Sequence, residues 1–241
     1  MKLSFFFKII PFLKYLNNSC LIRIRNFNFD KKIALFYFTK TPFWIKWIYK
    51  SCIWKIQSKV KSIYLTFDDG PHPLITDFVL DELKKYNAKA TFFCIGKNVV
   101  LYPAVYKRII DEGHAVGNHT FSHLNGWITT DSEYLDDINK AALIIDSKLF
   151  RPPYGRITKF QLSQLSKNRF NFKTIMWSIL SGDFDNNITK EQCCESVLKN
   201  ATPGSIVVFH DSEKANERMS YALPLVLQQL SENGFQFNKI V

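Results

Sequence analysis

From Lys61 to the end of the chain, short apolar segments alternate with amphipathic ones, and this alternation constrains the fold more than any other feature. The apolar segments are rich in β-branched and aromatic residues, as in "SIYLTF", which predicts strands. The segments between them, such as "ITDFVLDELKKY", have helical periodicity, with Phe78, Leu80 and Leu83 on the predicted buried face. Strands and helices that alternate in this way form a parallel sheet with helical crossovers. We predict strands at 62–67, 89–96, 114–120, 148–152, 172–179, 205–210 and 235–240.

The number of these units bears on how the sheet is arranged. Seven strand–helix units indicate an α/β fold built as a complete or incomplete (β/α) barrel. A doubly wound open sheet is the alternative, because spacing along the chain does not show whether a sheet closes. We predict a domain at residues 61–241, preceded by a basic, aromatic N-terminal extension at residues 1–60.

The extension holds the whole net charge of the chain, which is +11. It contains 12 Lys and Arg and a single acid, Asp30, whereas residues 61–241 contain 20 basic and 20 acidic residues. The domain therefore lacks the basic footprint of nucleic-acid binders, and we predict no nucleic-acid partner. The chain has no run of about twenty apolar residues, so we predict no transmembrane helix. The opening "MKLSFFFKIIPFLKYL" is interrupted by lysines and a proline and lacks the cleavage site of a signal peptide.

The stretch "PFWIKWIYKSCIWK" predicts an amphipathic helix in the extension. Trp44, Trp47, Ile48 and Cys52 would share one face. Residues 1–60, with this helix among them, suit an anionic membrane surface, where lysines and tryptophans are both favoured. The alternative is that the helix is a cap packed on the domain. We favour a membrane-associated or cell-envelope location, with the cytoplasm as the alternative.

The five cysteines argue against a disulfide framework and against a thiolate zinc site, since their number is odd and no C-x-x-C occurs. Cys94, in the apolar run "TFFCIG", is expected to be a small core residue.

Five polar clusters follow predicted strands, each at the carboxyl end. In parallel α/β folds these ends meet on one face, where sites are built. Ordinary turns would place polar residues at both ends of the strands, so the one-sided arrangement predicts a functional site. The clusters are Asp68 and Asp69, "GNHTFSH" with His119 and His123, "RPPYG" at 151–155, "SGDFD" with Asp183, and "FHD" with His210 and Asp211.

His119 and His123 are candidate metal ligands. A gap of four residues lets two imidazoles converge on one ion, although such a pair alone is a weak signal. A carboxylate from Asp68 or Asp69 would complete a set of two nitrogens and one oxygen with an open position, as in catalytic metal sites. The other aspartate would then serve as a general base.

The motifs "TFDDGP", "HTFSH", "RPPYG", a late aspartate motif and "VVFHD", in this order, resemble those of the polysaccharide deacetylases, the carbohydrate esterases with a NodB-type homology domain. The resemblance covers about residues 61–240. It implies a distorted (β/α) barrel of about seven strands. It also implies hydrolysis of N-acetyl groups on amino sugars, in peptidoglycan or a chitin-like oligosaccharide.

The resemblance also implies roles for individual residues. Asp69, His119 and His123 match the ligands of one divalent ion, for which mixed nitrogen and oxygen ligation favours zinc, with cobalt or another transition ion as the alternative. Asp68 matches the catalytic base, and His210 matches the general acid.

The remaining matches are supporting groups. Arg151 would orient Asp68, Asp183 would orient His210, and Tyr154 would offer its backbone N–H to the oxyanion and contact substrate. Phe184 stands where the family usually has tryptophan and is expected to contact substrate.

Two further positions bear on substrate range. Leu180 stands where an acid is common in relatives. Trp127 is either a sugar platform or a packing residue.

Other functions remain open from the residues alone. The same chemistry serves an O-acetyl esterase acting on xylan or a similar glycan. A catalytically silent carbohydrate-binding or membrane scaffold would be favoured by the loss of a catalytic group, and none is missing. A glycosidase is disfavoured, because its two carboxylates must flank the bond from separate positions. The oligomeric state is not predicted.

Overall fold

The computed structural model describes residues 37–58, 60–167 and 171–241, which fold into alternating strands and helices. The helices are α1 (Phe43–Ile48), α2 (Ile75–Lys85), α3 (Gly96–Leu101), α4 (Pro103–Asp111), α5 (Asp131–Ala142), α6 (Lys159–Leu165), α7 (Lys190–Leu198) and α8 (Glu213–Glu232), with a 3₁₀ turn at Pro153–Gly155. The strands are β1 (Ser62–Asp68), β2 (Thr91–Cys94), β3 (Ala115–Asn118), β4 (Leu149–Phe150), β5 (Lys173–Thr174), β6 (Ile179–Leu180), β7 (Ile206–His210) and β8 (Gln236–Phe237).

The strands form one curled parallel sheet in the order β5-β4-β3-β2-β1-β7-β6, with β8 paired to the start of β1. In a barrel, each strand lies beside the next one in the chain and the last lies beside the first. The observed order follows this rule except that β5 and β6 do not pair, and we call this gap the seam. The predicted distorted (β/α) barrel is confirmed, and the doubly wound alternative is wrong.

The predicted strand at 172–179 is wrong in one respect, because it forms two short strands, β5 and β6. Between them the carbonyls of Ile175 and Met176 accept hydrogen bonds from the Arg151 guanidinium, both at 3.1 Å. The Trp177 carbonyl accepts from the Thr41 hydroxyl at 2.7 Å. Because these three carbonyls accept hydrogen bonds from side chains, they do not pair with a neighbouring strand, and the predicted strand is interrupted here.

Residues 37–56, here called the seam segment, form hydrogen bonds with both strands that border the seam. The Leu180 N–H donates to the Thr39 carbonyl at 2.8 Å, and the Ile53 N–H donates to the Thr174 carbonyl at 2.9 Å. The segment therefore supplies backbone partners on both sides of the seam.

The predicted amphipathic helix of the extension is shorter than expected. α1 ends at Ile48, and Tyr49 leaves the helical conformation. Cys52 therefore lies beyond the helix and is buried, whereas Trp44 and Trp47 remain exposed. No helix in the described part of the chain is long and apolar enough to cross a bilayer. The rest of the extension, residues 1–36, lies outside the described residues.

The alternation of side chains along β1 and β7 carries polar groups to the interior of the barrel. Leu65 and Phe67 of β1 and Phe209 of β7 are fully buried in the layer between the sheet and the helices, each burial contributing about 1.5–3 kcal/mol. Successive side chains of a strand point to opposite faces. Asp68 and His210 therefore share the interior face, and they occupy paired positions in the β1–β7 register.

Candidate active site

The two adjacent carboxylates at the end of β1 point to different partners. Asp69 has a left-handed backbone conformation, with φ of 82°, which turns its side chain away from that of Asp68. Its Oδ1 lies 3.1 Å from Nε2 of His123 and 3.7 Å from Nε2 of His119. Asp68 Oδ1 instead accepts a hydrogen bond from Arg151 at 2.7 Å. The structure thus places Asp69, and not Asp68, with the histidines.

Asp69, His119 and His123 form a cluster that fits a metal ion. Their candidate ligand atoms all lie within 4.8 Å of one another. Asp69 Oδ1 is buried and has no hydrogen-bond partner, an arrangement that is costly unless a cation satisfies it. His119 Nδ1 lies 2.8 Å from the Arg151 carbonyl, so Nδ1 carries the proton and the Nε2 lone pair faces Asp69. Two nitrogens and one oxygen suit zinc or a similar divalent ion.

The protonation states of this cluster suit a cation. Burial lowers the pKa of His119 to about 4, so its imidazole is neutral at pH 7. Burial alone would raise the pKa of Asp69, but the nearby imidazoles of His123, His210 and His119 hold that pKa well below its usual range. Metal ligands must be deprotonated, and Asp69 and His119 meet that condition at neutral pH.

The loop that carries His123 is held by Asp137 of α5, a residue that sequence reasoning missed. Its Oδ2 accepts hydrogen bonds from the backbone N–H groups of Phe121 and Ser122 at 2.9 and 2.8 Å. These bonds fix a loop in which His123 itself has a positive φ of 58°. In the sequence Asp137 is one of several acids on a helix, and no motif distinguishes it.

Asp211, whose role the motif left open, holds the turn after Asp69. Its carboxylate accepts from the Gly70 N–H at 3.0 Å and from the Thr76 hydroxyl at 2.5 Å. A Cβ added at Gly70 would lie 2.0 Å from Asp211 Oδ2, so glycine is required there. Burial raises the pKa of Asp211 to about 7. Asn98 also supports the turn, because its amide donates to the Asp69 carbonyl at 2.7 Å.

Arg151 is fully buried and links Asp68 to the barrel interior. One guanidinium nitrogen donates to Asp68 Oδ1 and to the Thr66 hydroxyl, at 2.7 and 2.6 Å, and the guanidinium carbon lies 4.1 Å from the centre of the Phe93 ring. Burial lowers the pKa of Arg151, and the charge of Asp68 opposes that shift. This geometry is the one expected of a residue that orients Asp68.

His210 and Asp183 form a second buried pair. Asp183 accepts from His210 Nδ1 at 2.8 Å and from the His210 backbone N–H at 2.7 Å. Burial alone would lower the pKa of His210, but the charge and hydrogen bond of Asp183 raise it to about 10. His210 is therefore a protonated donor at neutral pH. Arg218 of α8, also missed from sequence, donates to the Asp183 carbonyl at 2.7 Å.

Two of the three aromatic residues expected to contact substrate lie beside the histidines. The Tyr154 side chain is 61% exposed, and its ring lies 4.6 Å from that of His123. Phe184 meets the His210 ring edge-on at 5.3 Å. The Trp127 indole donates instead to the Ile157 carbonyl, and its role as a sugar platform stays a prediction.

Comparisons with known proteins identify the family of this chain. The family model described as polysaccharide deacetylase matches residues 55–172. A peptidoglycan-N-acetylglucosamine deacetylase of Bacillus cereus is 37% identical over 182 residues, which are 73% of this chain and 65% of the relative. A second one from that organism is 35% identical over 76% of this chain and 88% of the relative. The chitooligosaccharide deacetylase of Azorhizobium caulinodans is 35% identical over 75% of this chain and 93% of the relative.

Solved structures extend the comparison. A peptidoglycan N-acetylglucosamine deacetylase superposes with a TM-score of 0.75 at 34% identity, covering 83% of this chain and 95% of that one. A family pseudoenzyme from Bacillus anthracis superposes with a TM-score of 0.68 at 25% identity, covering 78% of this chain and 66% of that one. The curated relatives named above are deacetylases, which are hydrolases of amide bonds, and this chain belongs to the polysaccharide deacetylase family.

Proposed function

We propose that this protein is a metal-dependent hydrolase that removes N-acetyl groups from an N-acetylglucosamine-containing glycan, such as peptidoglycan or a chitin-like oligosaccharide. One observation carries the proposal. The paired interior ends of β1 and β7 hold a carboxylate, Asp68, and a protonated imidazole, His210. The next residue, Asp69, belongs to the candidate metal cluster. A base, an acid and a cation site are what amide hydrolysis requires, because an amide carbonyl is a poor electrophile and its amine a poor leaving group.

Asp68 is the proposed base, which takes a proton from the attacking water. Arg151 binds one of its oxygens and fixes the direction of the carboxylate. A divalent ion held by Asp69, His119 and His123 would supply Lewis acidity toward the substrate carbonyl and toward water.

The Tyr154 backbone N–H is the proposed donor to the carbonyl oxygen as that oxygen gains charge. It has no partner within the described residues, whereas the N–H groups of Gly155 and Arg156 donate to the carbonyls of Pro152 and Pro153.

His210 is the proposed acid, which protonates the leaving amine. Asp183 accepts from its Nδ1, so the proton on Nε2 is the one available for transfer. Asp183 also keeps the imidazole protonated at neutral pH. Because an amine leaves poorly without a proton, the contribution of His210 should be largest for amides and smallest for esters with good leaving groups.

Acetate release tests the proposal. The purified full chain is stripped of metal, reloaded with zinc or cobalt, and supplied with N-acetylglucosamine oligomers, peptidoglycan or acetylated xylan. We expect acetate from the amino-sugar substrates, only with metal. Preference for acetylated xylan would favour the O-acetyl esterase, and glycan binding without acetate release would favour the silent scaffold.

We further propose that the seam segment places the enzyme against an anionic membrane surface within the cell envelope. Its side chains Phe43 and Trp47 are 83% and 78% exposed, and Trp44 and Ile48 are also exposed. Large apolar groups exposed together in this way are typical of an interaction surface.

Charge complementarity favours lipid as the partner. The seam segment contains four lysines (Lys40, Lys46, Lys50 and Lys55) and no acid. Burial lowers the pKa of Lys46, and the like charges of Lys55 and Lys40 lower it further. Lysines near anionic headgroups contribute about 1 kcal/mol each, and tryptophan rings favour the interface.

Cosedimentation with phosphatidylglycerol vesicles tests this second proposal. Phe43→Ser with Trp47→Ser, and separately Lys46→Glu with Lys50→Glu, should abolish binding of the full chain. Leu143→Ser and Lys84→Glu are matched controls, since both residues are exposed elsewhere. Vesicle binding that is absent from the native chain, or unaffected by salt and by the lysine variants, would refute the membrane role. Point substitutions are needed because truncation near Ser58 would remove Trp54, which is buried.

A further inference from the structure

We infer that Tyr37, in the seam segment, is a positioning residue for the proposed general acid. The inference rests on the proposed deacetylase function and assigns part of that site to a residue of the extension. The Tyr37 ring lies 5.1 Å from the Phe184 ring, inclined by 58°. Phe184 in turn meets the His210 ring at 5.3 Å, inclined by 75°. Three rings in contact therefore connect the seam segment to His210.

The Tyr37 hydroxyl contacts the same loop on both sides of Asp183. On one side lies the Asp185 carboxylate: burial together with its charge raises the pKa of Tyr37 to about 12, so the phenol keeps its proton at neutral pH. On the other side, a Cβ added at Gly182 would lie 2.8 Å from the Tyr37 oxygen. Tyr37 thus contacts or closely approaches the two neighbours of Asp183 in the chain, as well as Asp185.

Backbone hydrogen bonds fix the position of Tyr37. Two residues later the Thr39 carbonyl accepts from the Leu180 N–H at 2.8 Å, and the Thr41 N–H donates to the Ser178 carbonyl at 3.1 Å. The segment that carries Tyr37 is therefore aligned with β6, the strand that leads into the Asp183 loop.

The opposite side of the Asp183 loop is held from within the domain. Arg218 donates to the Asp183 carbonyl at 2.7 Å and to the Asn186 side chain at 2.6 Å. Arg218 fixes the backbone, whereas Tyr37 supports Phe184, the ring that borders the imidazole. Without Tyr37, Phe184 loses its support on one side, and His210 loses a wall that restricts the tilt of its ring.

Leaving-group dependence separates positioning from simple stabilisation. A misplaced acid slows the reaction of a substrate whose leaving amine needs a proton, and spares one whose leaving group departs without it. A loss of stability alone would lower the active fraction equally for both substrates. The substrates are an N-acetylglucosamine oligomer and an aryl acetate ester.

The test uses the metal-loaded full chain. For Tyr37→Ala we expect kcat on the oligomer to fall by about tenfold, since small misplacements cost up to about a hundredfold, and kcat on the aryl acetate to change by less than about twofold. Tyr37→Phe keeps the ring and should retain most of the oligomer activity. Tyr37→Leu keeps an apolar side chain of similar bulk without a flat ring, so it serves as the second variant if Tyr37→Ala does not fold. Its activity should match that expected of Tyr37→Ala. Thr39→Ala is the matched control, because its side chain is exposed and its backbone carbonyl makes the seam contact.

Two outcomes would overturn the inference while leaving the proposed function intact: oligomer activity of Tyr37→Ala and Tyr37→Leu equal to that of Thr39→Ala, or equal losses on both substrates. If the native chain releases no acetate from any N-acetylglucosamine substrate, the proposed function itself fails and the inference fails with it.

Discussion

Asp183→Asn should shift the alkaline limit of catalysis, because Asp183 sets the protonation of His210. In the native chain burial lowers the pKa of His210, but Asp183 and the neighbouring carboxylates Asp69 and Asp68 raise it to about 10. A cation held by Asp69 would oppose the contribution of that carboxylate, so we expect the limit in the metal-loaded enzyme below pH 10. The asparagine keeps the shape of Asp183 and removes its charge.

The size of the effect follows from the fraction of His210 that carries a proton. With the Asp183 charge gone, we expect the pKa to fall at least to the ordinary value of about 6.5. At pH 8 only about 3% of such imidazoles are protonated, which predicts a loss of about thirtyfold in kcat on an N-acetylglucosamine oligomer. At pH 6 most are protonated, and the loss should shrink to a few-fold.

The assay is kcat for acetate release between pH 5 and 10, with Asp146→Asn as the matched control, since Asp146 is exposed. The alkaline limit should move to lower pH in Asp183→Asn alone. A limit that stays in place, or a loss that is the same at every pH, would refute the assignment of His210 as the acid held protonated by Asp183.

The same shift has a consequence for stability, whose sign can be worked out. The pKa of His210 is higher in the folded chain than the ordinary value, so protonation stabilises the fold. This contribution is fully present below about pH 6.5 and is lost as the pH rises through about 10. The difference in free energy of unfolding between the native chain and Asp183→Asn should therefore be larger at pH 7 than at pH 10, as measured by urea denaturation.

Three further substitutions test the rest of the site. Asp68→Asn should retain the metal and lose about a hundredfold to ten-thousandfold in kcat, because an amide does not accept the water proton. If elemental analysis shows that this variant loses the metal, Asp68 is the ligand and Asp69 the base. His119→Ala should lower metal stoichiometry, and stoichiometry equal to that of the native chain would refute the cluster as the metal site. Arg151→Met should lower the free energy of unfolding in urea by about 3–5 kcal/mol, since it leaves the buried Asp68 unpaired; a near-neutral effect would mean that Asp68 finds another partner.

Local patterns predicted a parallel α/β fold with polar residues gathered at the carboxyl ends of its strands, and the resemblance to polysaccharide deacetylases implied the barrel. The periodicity of β1 is visible in sequence because its alternate side chains are buried against helices, and the carboxyl ends of the strands stand out because they are polar. The break between β5 and β6 was missed because it depends on Arg151, which is distant in sequence and takes the carbonyls of Ile175 and Met176.

The supporting residues were missed for the same reason. Asp137 and Arg218 lie on helices, where an acid or an arginine is ordinarily a solvated surface residue, and only the folded chain brings them to the His123 loop and the Asp183 loop. The domain boundary at residue 60 stays a prediction.

One backbone torsion accounts for how adjacent aspartates take separate positions. Asp68 ends β1 in extended conformation and points into the barrel toward Arg151, whereas the positive φ of Asp69 turns the next side chain toward the histidines. A left-handed conformation is tolerated by aspartate and disfavoured for β-branched residues. Gly70 must follow, because Asp211 binds its N–H and leaves no room for a Cβ. The three residues of the motif "DDG" therefore act as one unit. A side chain at residue 70 would displace Asp211 from the turn, and the turn is what directs the Asp69 carboxylate toward the histidines.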